Sequence, residues 1–352
     1  MPELLKPTKS DIKQLIGSSK DALTFWVETI ILEKSSKAGT TSSAPAVSEI
    51  QTARLDSPLE ELVKLASLVH ARVTKLGIVF KPLIPEENYH ACYKELDEGM
   101  HSMILLVSVS KQLQQEEQKY SFVFVEELLN CIKIVLTGYM GCLNELENAI
   151  DAENQGQSQR LVSVGKVWEA CSDLQRQVQQ GSSGLLKAKL KQTNQLINDA
   201  SKEYNDWIAN PTAEDQDFND FANFDDLHNS KSLHNETEVD TTLIEFAKRW
   251  NGKIKMIKLL IMTLNKSIPD AKYNIKFSKT IDLLNSKSFK LSEKVDDLVA
   301  SVIYDQDVEE AKSAGKELIE EATQAALLVR TMNEGNSTRT RWLDTWSKKF
   351  VE

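Results

Sequence analysis

Glycine and proline are scarce in this 352-residue chain, thirteen and eight residues respectively. Few breakers between long periodic stretches leave little room for the tight hairpin turns of β-folds, and no segment sustains strand alternation. Long apolar runs are missing too. None approaches the roughly 18 residues needed to cross a bilayer, and the N-terminus "MPELLKPTKSDIKQL" has no apolar core of the signal-peptide kind, so an intracellular protein is expected. An excess of basic residues is also lacking. The net charge is −10, with a pI of about 5.2, which weighs against a direct nucleic-acid binder. Cysteine occurs four times (Cys92, Cys131, Cys142, Cys171) without paired spacing. In a reducing compartment they are expected to be free, buried thiols.

What is present is helical periodicity. Helices are expected over 11–33, from Pro58 to about 80, over 86–116, 120–150 and 160–180, and on to Ala209 after a turn at "GSSG" (Gly181 to Gly184). Ser57 with Pro58 and Glu60 has the pattern of a capping box with proline at the first helical position. Further helices are expected from Thr241, over 272–305, 306–333 and 338–350. Ala247, Trp250, Ile254, Ile257, Ile261 and Leu264 alternate steps of three and four, the seam of a helix in a bundle.

Two segments break this pattern. Residues 34–56 are rich in Ser, Thr, Ala and Gly and read as a flexible loop. Residues 210–240 hold nine acids against Lys231 alone, so −8 of the net −10 sits there. This stretch reads as an acidic, disordered linker. The expected organisation is an N-terminal helical bundle (1–209), the linker (210–240) and a C-terminal helical subdomain (241–352). Within the linker, Thr212 and Thr237 each have an aspartate three residues on, Asp215 and Asp240. Acid-directed kinases favour that spacing, which makes both candidate phosphosites.

Candidate chemistry is thin. In "SEKVDDLVASVIYDQ" (Ser292 to Gln306), Val295, Leu298, Val299, Val302 and Ile303 form one buried helical stripe. Asp296 and Asp297 lie off it. They read as a solvated face or as an acidic spot for a protein partner. Two Glu-x-x-His pairs, Glu87/His90 and Glu98/His101, resemble the ligand pairs of di-iron bundles, which place them on different helices. Here one helix is expected to carry both, about 16 Å apart at ~1.5 Å per residue, too far to share a metal cluster. There is no G-x-S-x-G elbow. Cys171 lies at helical spacing from Trp168 and Leu174 and reads as a packing thiol. "TGYMGC" (Thr137 to Cys142) lacks the ending of a phosphate loop, and its glycines should instead allow close helix contact. "KRWNGKIKMIK" (Lys248 to Lys258) is basic enough for a nucleic-acid helix, but it also fits the exposed flank of the seam described above.

Several blocks resemble the cyclin-D-interacting, GCIP-like family: "VSVGKVWEACSDL" (Val162 to Leu174), the following "GLLKAKLKQTNQLINDASKEYNDWI", and "SEKVDDLVASVIYDQ". V-W-x-A-C and V-D-D-L-x-x-S-x-Y are the specific patterns. "SPLEELVKLASLVHARVTKLGIVF" and the acidic linker agree in order and character, so the likeness runs over roughly 57–330. The Ser/Thr-rich loop sets the chain apart from animal members, and its Asn- and Lys-rich usage suits a lower-eukaryotic one. The resemblance implies an all-α protein of left-handed helix bundles, similar to talin-rod or vinculin modules. It implies no enzyme activity, and no cofactor or metal is expected. It implies a regulator of nucleus and cytoplasm that binds cyclins and helix-loop-helix transcription factors. The expected function is a protein-interaction regulator of cell-cycle progression or transcription that binds partner helices. The alternatives are a vinculin-like cytoskeletal or membrane-peripheral adaptor and a metalloenzyme using the Glu-x-x-His pairs.

Overall fold

The computed structural model describes residues 6–35, 54–80, 84–116, 119–151, 162–211, 239–270 and 277–352. Among them the chain forms α1 (Lys9–Ser35), α2 (Pro58–Val79), a 3-10 turn (Glu86–Asn88), α3 (Tyr89–Gln115), α4 (Phe122–Asp151) and α5 (Val162–Ala209). It continues with α6 (Thr241–Ser267), α7 (Ser278–Ile303), α8 (Val308–Met332) and α9 (Ser337–Val351). No strand occurs among the described residues, and the protein is all-α, as its periodicity predicts.

By packing, the chain divides into two compact units, with a boundary between Ser182 and Ser183. The first holds α1 to α4 and the start of α5; the second holds the rest of α5 with α6, nearly all of α7, α8 and α9. The boundary adjoins Gly181, whose φ of 67° interrupts α5. That left-handed conformation favours a residue without Cβ. The turn expected across "GSSG" therefore shrinks to a kink at one residue, and the helix resumes at once. The division into 1–209, 210–240 and 241–352 rests on a segment whose residues 212–238 lie outside the described ones, as do 36–53 of the expected loop.

In the first unit α2 buries Leu62, Leu65, Ala66, Val69, Val73 and Leu76 along one stripe. Pro58 opens the helix, but the Ser57 side chain makes no capping bond. Only its carbonyl serves, accepting from the Glu60 N–H at 3.1 Å, so the capping box does not form. Backbone at φ −127°, ψ 69° goes with a cap in which the serine hydroxyl bonds none of the free amides. Gly99 on α3 faces the Tyr139 ring on α4. A Cβ there would sit 2.1 Å from the phenol oxygen. Gly138 and Gly141 let α4 approach α5, where an added Cβ would come within 3.0 Å of Val167 and Ser163. The close helix contact expected of "TGYMGC" is thus present.

In the second unit every residue of the α6 seam, from Ala247 to Leu264, is buried. Asp240 caps α6 by accepting from the Thr242 N–H at 2.8 Å. Asp307 caps α8, accepting from Glu309 and Glu310. Gly315 makes room for Trp250, whose ring would lie 2.5 Å from an added Cβ. The Trp346 indole donates to the Met256 carbonyl at 2.9 Å and fixes α9 on α6.

Candidate partner-binding face

Helix α7 is amphipathic along its whole length. The predicted stripe of Val295, Leu298, Val299, Val302 and Ile303 is buried, and Ile281, Leu284 and Leu291 extend it towards the start of the helix. Burying each such side chain stabilises the unit by about 1.5–3 kcal/mol. The opposite side carries Phe289, Glu293, Asp296 and Ala300 in steps of three and four residues, and Tyr304, just past the end of the helix with its N–H bonded to the Ala300 carbonyl at 2.8 Å, continues the row. Phe289 and Tyr304 are each 56% exposed. A row of this kind spans about 22 Å at ~1.5 Å per residue.

The second part of α5 lies beside it within the same unit. The Tyr304 hydroxyl donates to the Glu203 carboxylate. Leu196, 46% exposed, shares an exposed α5 face with Asp199 and Glu203. Glu203, Glu293 and Asp296 have no basic partner at ion-pair distance among the described residues. The cost shows at Asp296. Partial burial, then Asp297, Glu203 and Glu293, push its carboxyl above the ordinary value, because removing water and adding like charges both disfavour the ionised form. Asp297 behaves differently. Lys294 reaches it at 2.9 Å and Glu317 of α8 at 2.7 Å, and these two carboxylates hold the ammonium pKa well up. Both aspartates are exposed, as expected, but only Asp297 is neutralised.

The remaining candidates sort as follows. Thr212 and Thr237 lie outside the described residues. Glu87 belongs to the 3-10 turn that precedes α3, and His90 is exposed on the helix, so the two Glu-x-x-His pairs do not share one helix. Pro85, in extended backbone, precedes that turn and delays the α-helix to Tyr89. Glu98 is engaged with the Arg72 guanidinium, which also reaches Glu95 at 3.4 Å, and His101 turns to Asp97. No group of three or more His, Cys, Asp or Glu able to hold a metal occurs among the described residues. All four cysteines are free and buried. Burial pushes the Cys92 thiol up to about 11 and the other three to about 12, which keeps them protonated and unreactive.

In the basic stretch, Lys248, Arg249 and Lys255 are exposed, as the seam's flank requires. Lys253 is the exception. Its ammonium donates to the Phe350 carbonyl at 2.6 Å, near the C-terminus of α9, where positive charge suits the helix dipole. It also sits over the Trp250 and Phe350 rings. Both rings are buried, so they are core rather than a platform for bases.

Sequence reading missed Glu203, Phe289, Glu293, Tyr304 and Leu196 as members of this face. Phe289, Glu293 and Tyr304 could have been found, because they fall at helical spacing opposite the buried stripe. Nothing local pairs Glu203 with a residue 101 positions away.

No helix among the described residues is long and apolar enough to cross a membrane. Comparison with known proteins gives three matches. Residues 61–210 match the family model described as Grap2 and cyclin-D-interacting, N-terminal. An uncharacterized protein of Saccharomyces cerevisiae is 25% identical over 307 residues, 84% of this chain and 86% of its own length. An uncharacterized protein of Schizosaccharomyces pombe is 22% identical over 263 residues, 74% of this chain and 75% of its own. None of these descriptions indicates an enzyme. The likeness seen in the V-W-x-A-C block is therefore borne out: over residues 61–210 the chain matches the Grap2 and cyclin-D-interacting family, with yeast and fission-yeast relatives along most of its length.

Proposed function

We propose that this protein is a non-enzymatic interaction regulator that binds partner proteins through the exposed row on α7. The observation that carries the reading is that row itself. Phe289, Tyr304 just past the helix end, and carboxylates without a basic partner stand exposed along a helix whose other side is packed. Large exposed side chains grouped on one face mark interaction sites more than chance surface does. The family description, cyclin-D-interacting, supports a protein partner. Cyclin-like or helix-loop-helix regulators are the partner class proposed, acting on cell-cycle progression or transcription in nucleus and cytoplasm.

Affinity purification of the tagged chain from its own cells, followed by mass spectrometry, tests this. Cell-cycle or transcriptional regulators should be recovered with the unaltered chain and lost with Phe289→Ala/Leu196→Ala. An identical set of proteins from both would overturn the assignment to this face. Localisation is read separately with a fluorescent tag, and signal confined to one organelle other than the nucleus would contradict it.

A further inference from the structure

We infer that the α5–α7 face of the second unit docks an amphipathic helix rich in lysine and arginine from another protein. This rests on the protein-binding reading above and specifies the chemistry of the partner.

Three observations converge. First, the face offers exposed apolar anchors: Phe289 on α7 and Tyr304 just past its end at the two ends of the row, and Leu196 on α5. Anchors spaced along about 22 Å match roughly four turns of a partner helix at ~5.4 Å per turn. Second, the charge on the row itself is acidic, although Lys290 is exposed beside Phe289. Glu203 and Glu293 stand close enough to help raise the Asp296 carboxyl, which is also partly buried and beside Asp297, whereas the neighbouring lysine, Lys294, is tied to Asp297 and Glu317. A cationic partner relieves that repulsion; nucleic acid or an anionic lipid surface would worsen it. Third, the aromatic ends suit cations as well as methylene stems. Guanidinium and ammonium groups stack on exposed Phe and Tyr rings, and the long side chains of Arg and Lys cover apolar surface on the way.

The Tyr304–Glu203 hydrogen bond adds specificity. It holds the carboxylate of one helix against the aromatic of the other, so the acids of α5 and α7 present as one surface rather than two separate rows. A docked helix would meet the carboxylates at the centre of the row and the aromatics at its two ends.

The test uses the full chain and a synthetic 18-residue helical peptide with leucines at steps of three and four and lysine or arginine on both flanks. Its counterpart replaces every basic residue with glutamate. Binding is read by fluorescence anisotropy in low and raised salt, and the footprint by hydrogen exchange. The basic peptide should bind, protect segments around 196–206 and 289–304, and weaken several-fold as salt screens the charges. Glu293→Lys/Asp296→Lys should weaken it by about tenfold or more, as loss and reversal of charge at the contact centre does. Glu293→Gln/Asp296→Asn, which keeps the side-chain shapes, should give a smaller loss in the same direction, and a thermal melt of each variant confirms that it is folded. Absence of binding, equal binding of the glutamate peptide, unchanged affinity in both variants, or self-association of the chain that these variants abolish would each overturn the proposal. Should the basic peptide fail while partner capture still depends on Phe289 and Leu196, the charge chemistry falls and the protein-binding reading stands. Should capture also be indifferent to them, both fall.

Discussion

Both units solve one packing problem in the same way and treat their surfaces differently. In the first, Gly99 opens space for the Tyr139 ring; in the second, Gly315 does so for Trp250. Each glycine lets a large aromatic come close to a helix without a Cβ in the way. Around these cores, the first unit ties its charges across helices: Arg72 to Glu95 and Glu98, and Lys20 to Glu147 at 2.8 Å. The second does this too, with Lys287 to Glu321 and Lys294 to Glu317, yet leaves the acids of the α5–α7 row unmatched. The row is therefore no by-product of lacking lysines. Lys287 and Lys294 of α7 are engaged with α8 instead.

The largest effect should come from cutting the chain. We propose that 34–56 and 210–240 are the exposed connections that their composition suggests. Limited digestion with a broad-specificity protease should cut there first; first cuts inside 160–209 would break the map. The fragment ending near Ala209 carries the second part of α5, which packs in the second unit, so the two halves should co-elute after cleavage.

Next in size is Leu298→Ala. Leu298 is fully buried, and large-to-small changes of this kind cost about 2–5 kcal/mol. Asp296→Asn/Asp297→Asn should cost under about 1 kcal/mol, as exposed sites do. Chemical denaturation compares them, and equal losses would show the aspartates to be buried partners.

Gly99→Ala should destabilise by about 1–3 kcal/mol, the range for overpacking, since the Tyr139 ring is buried and cannot swing away. The Tyr139 hydroxyl has no hydrogen-bond partner. Tyr139→Phe should therefore rescue much of the loss while costing little alone, because it removes an unsatisfied group and the clashing atom together. No rescue in the double variant would mean that backbone, not ring, sets the limit.

Caps give a smaller contrast. Asp307→Ala should cost about 0.5–2 kcal/mol, while Ser57→Ala should be nearly silent because its side chain caps nothing. Smallest is the pH effect at Asp296. Its folded pKa is raised, so the stability it contributes is complete at pH below the unfolded pKa and is lost as pH rises through the folded one. Asp296→Asn should thus raise the melting temperature slightly at neutral pH, and the gain should fade in acid. A constant gain at every pH would assign it to something other than charge.

Much of this was legible in the sequence. The α7 stripe and the α6 seam repeat at intervals that only a helix brings to one side, and the thiols stand within such intervals. What stayed hidden depends on distance in the chain or on backbone angles. Tyr304 and Glu203 meet only through tertiary packing. Gly99 meets Tyr139 on the next helix, across a turn-round that no local pattern encodes. Ser57 has the right residue type for a cap, but its ψ of 69° decides against the bond. Lys253 reads as one more surface cation until α9 supplies a carbonyl for it.

The four buried thiols have a practical consequence. Cys92, Cys131, Cys142 and Cys171 all belong to the first unit, while four of the six tryptophans, Trp207, Trp250, Trp342 and Trp346, belong to the second and Trp26 and Trp168 to the first. The chain thus carries two built-in reporters that need no label engineered into it. A thiol reagent added to the native protein reacts at the rate at which the first unit opens. Indole fluorescence follows mainly the second. Run side by side in one denaturant series, the two signals tell whether the units come apart as one cooperative body or in sequence.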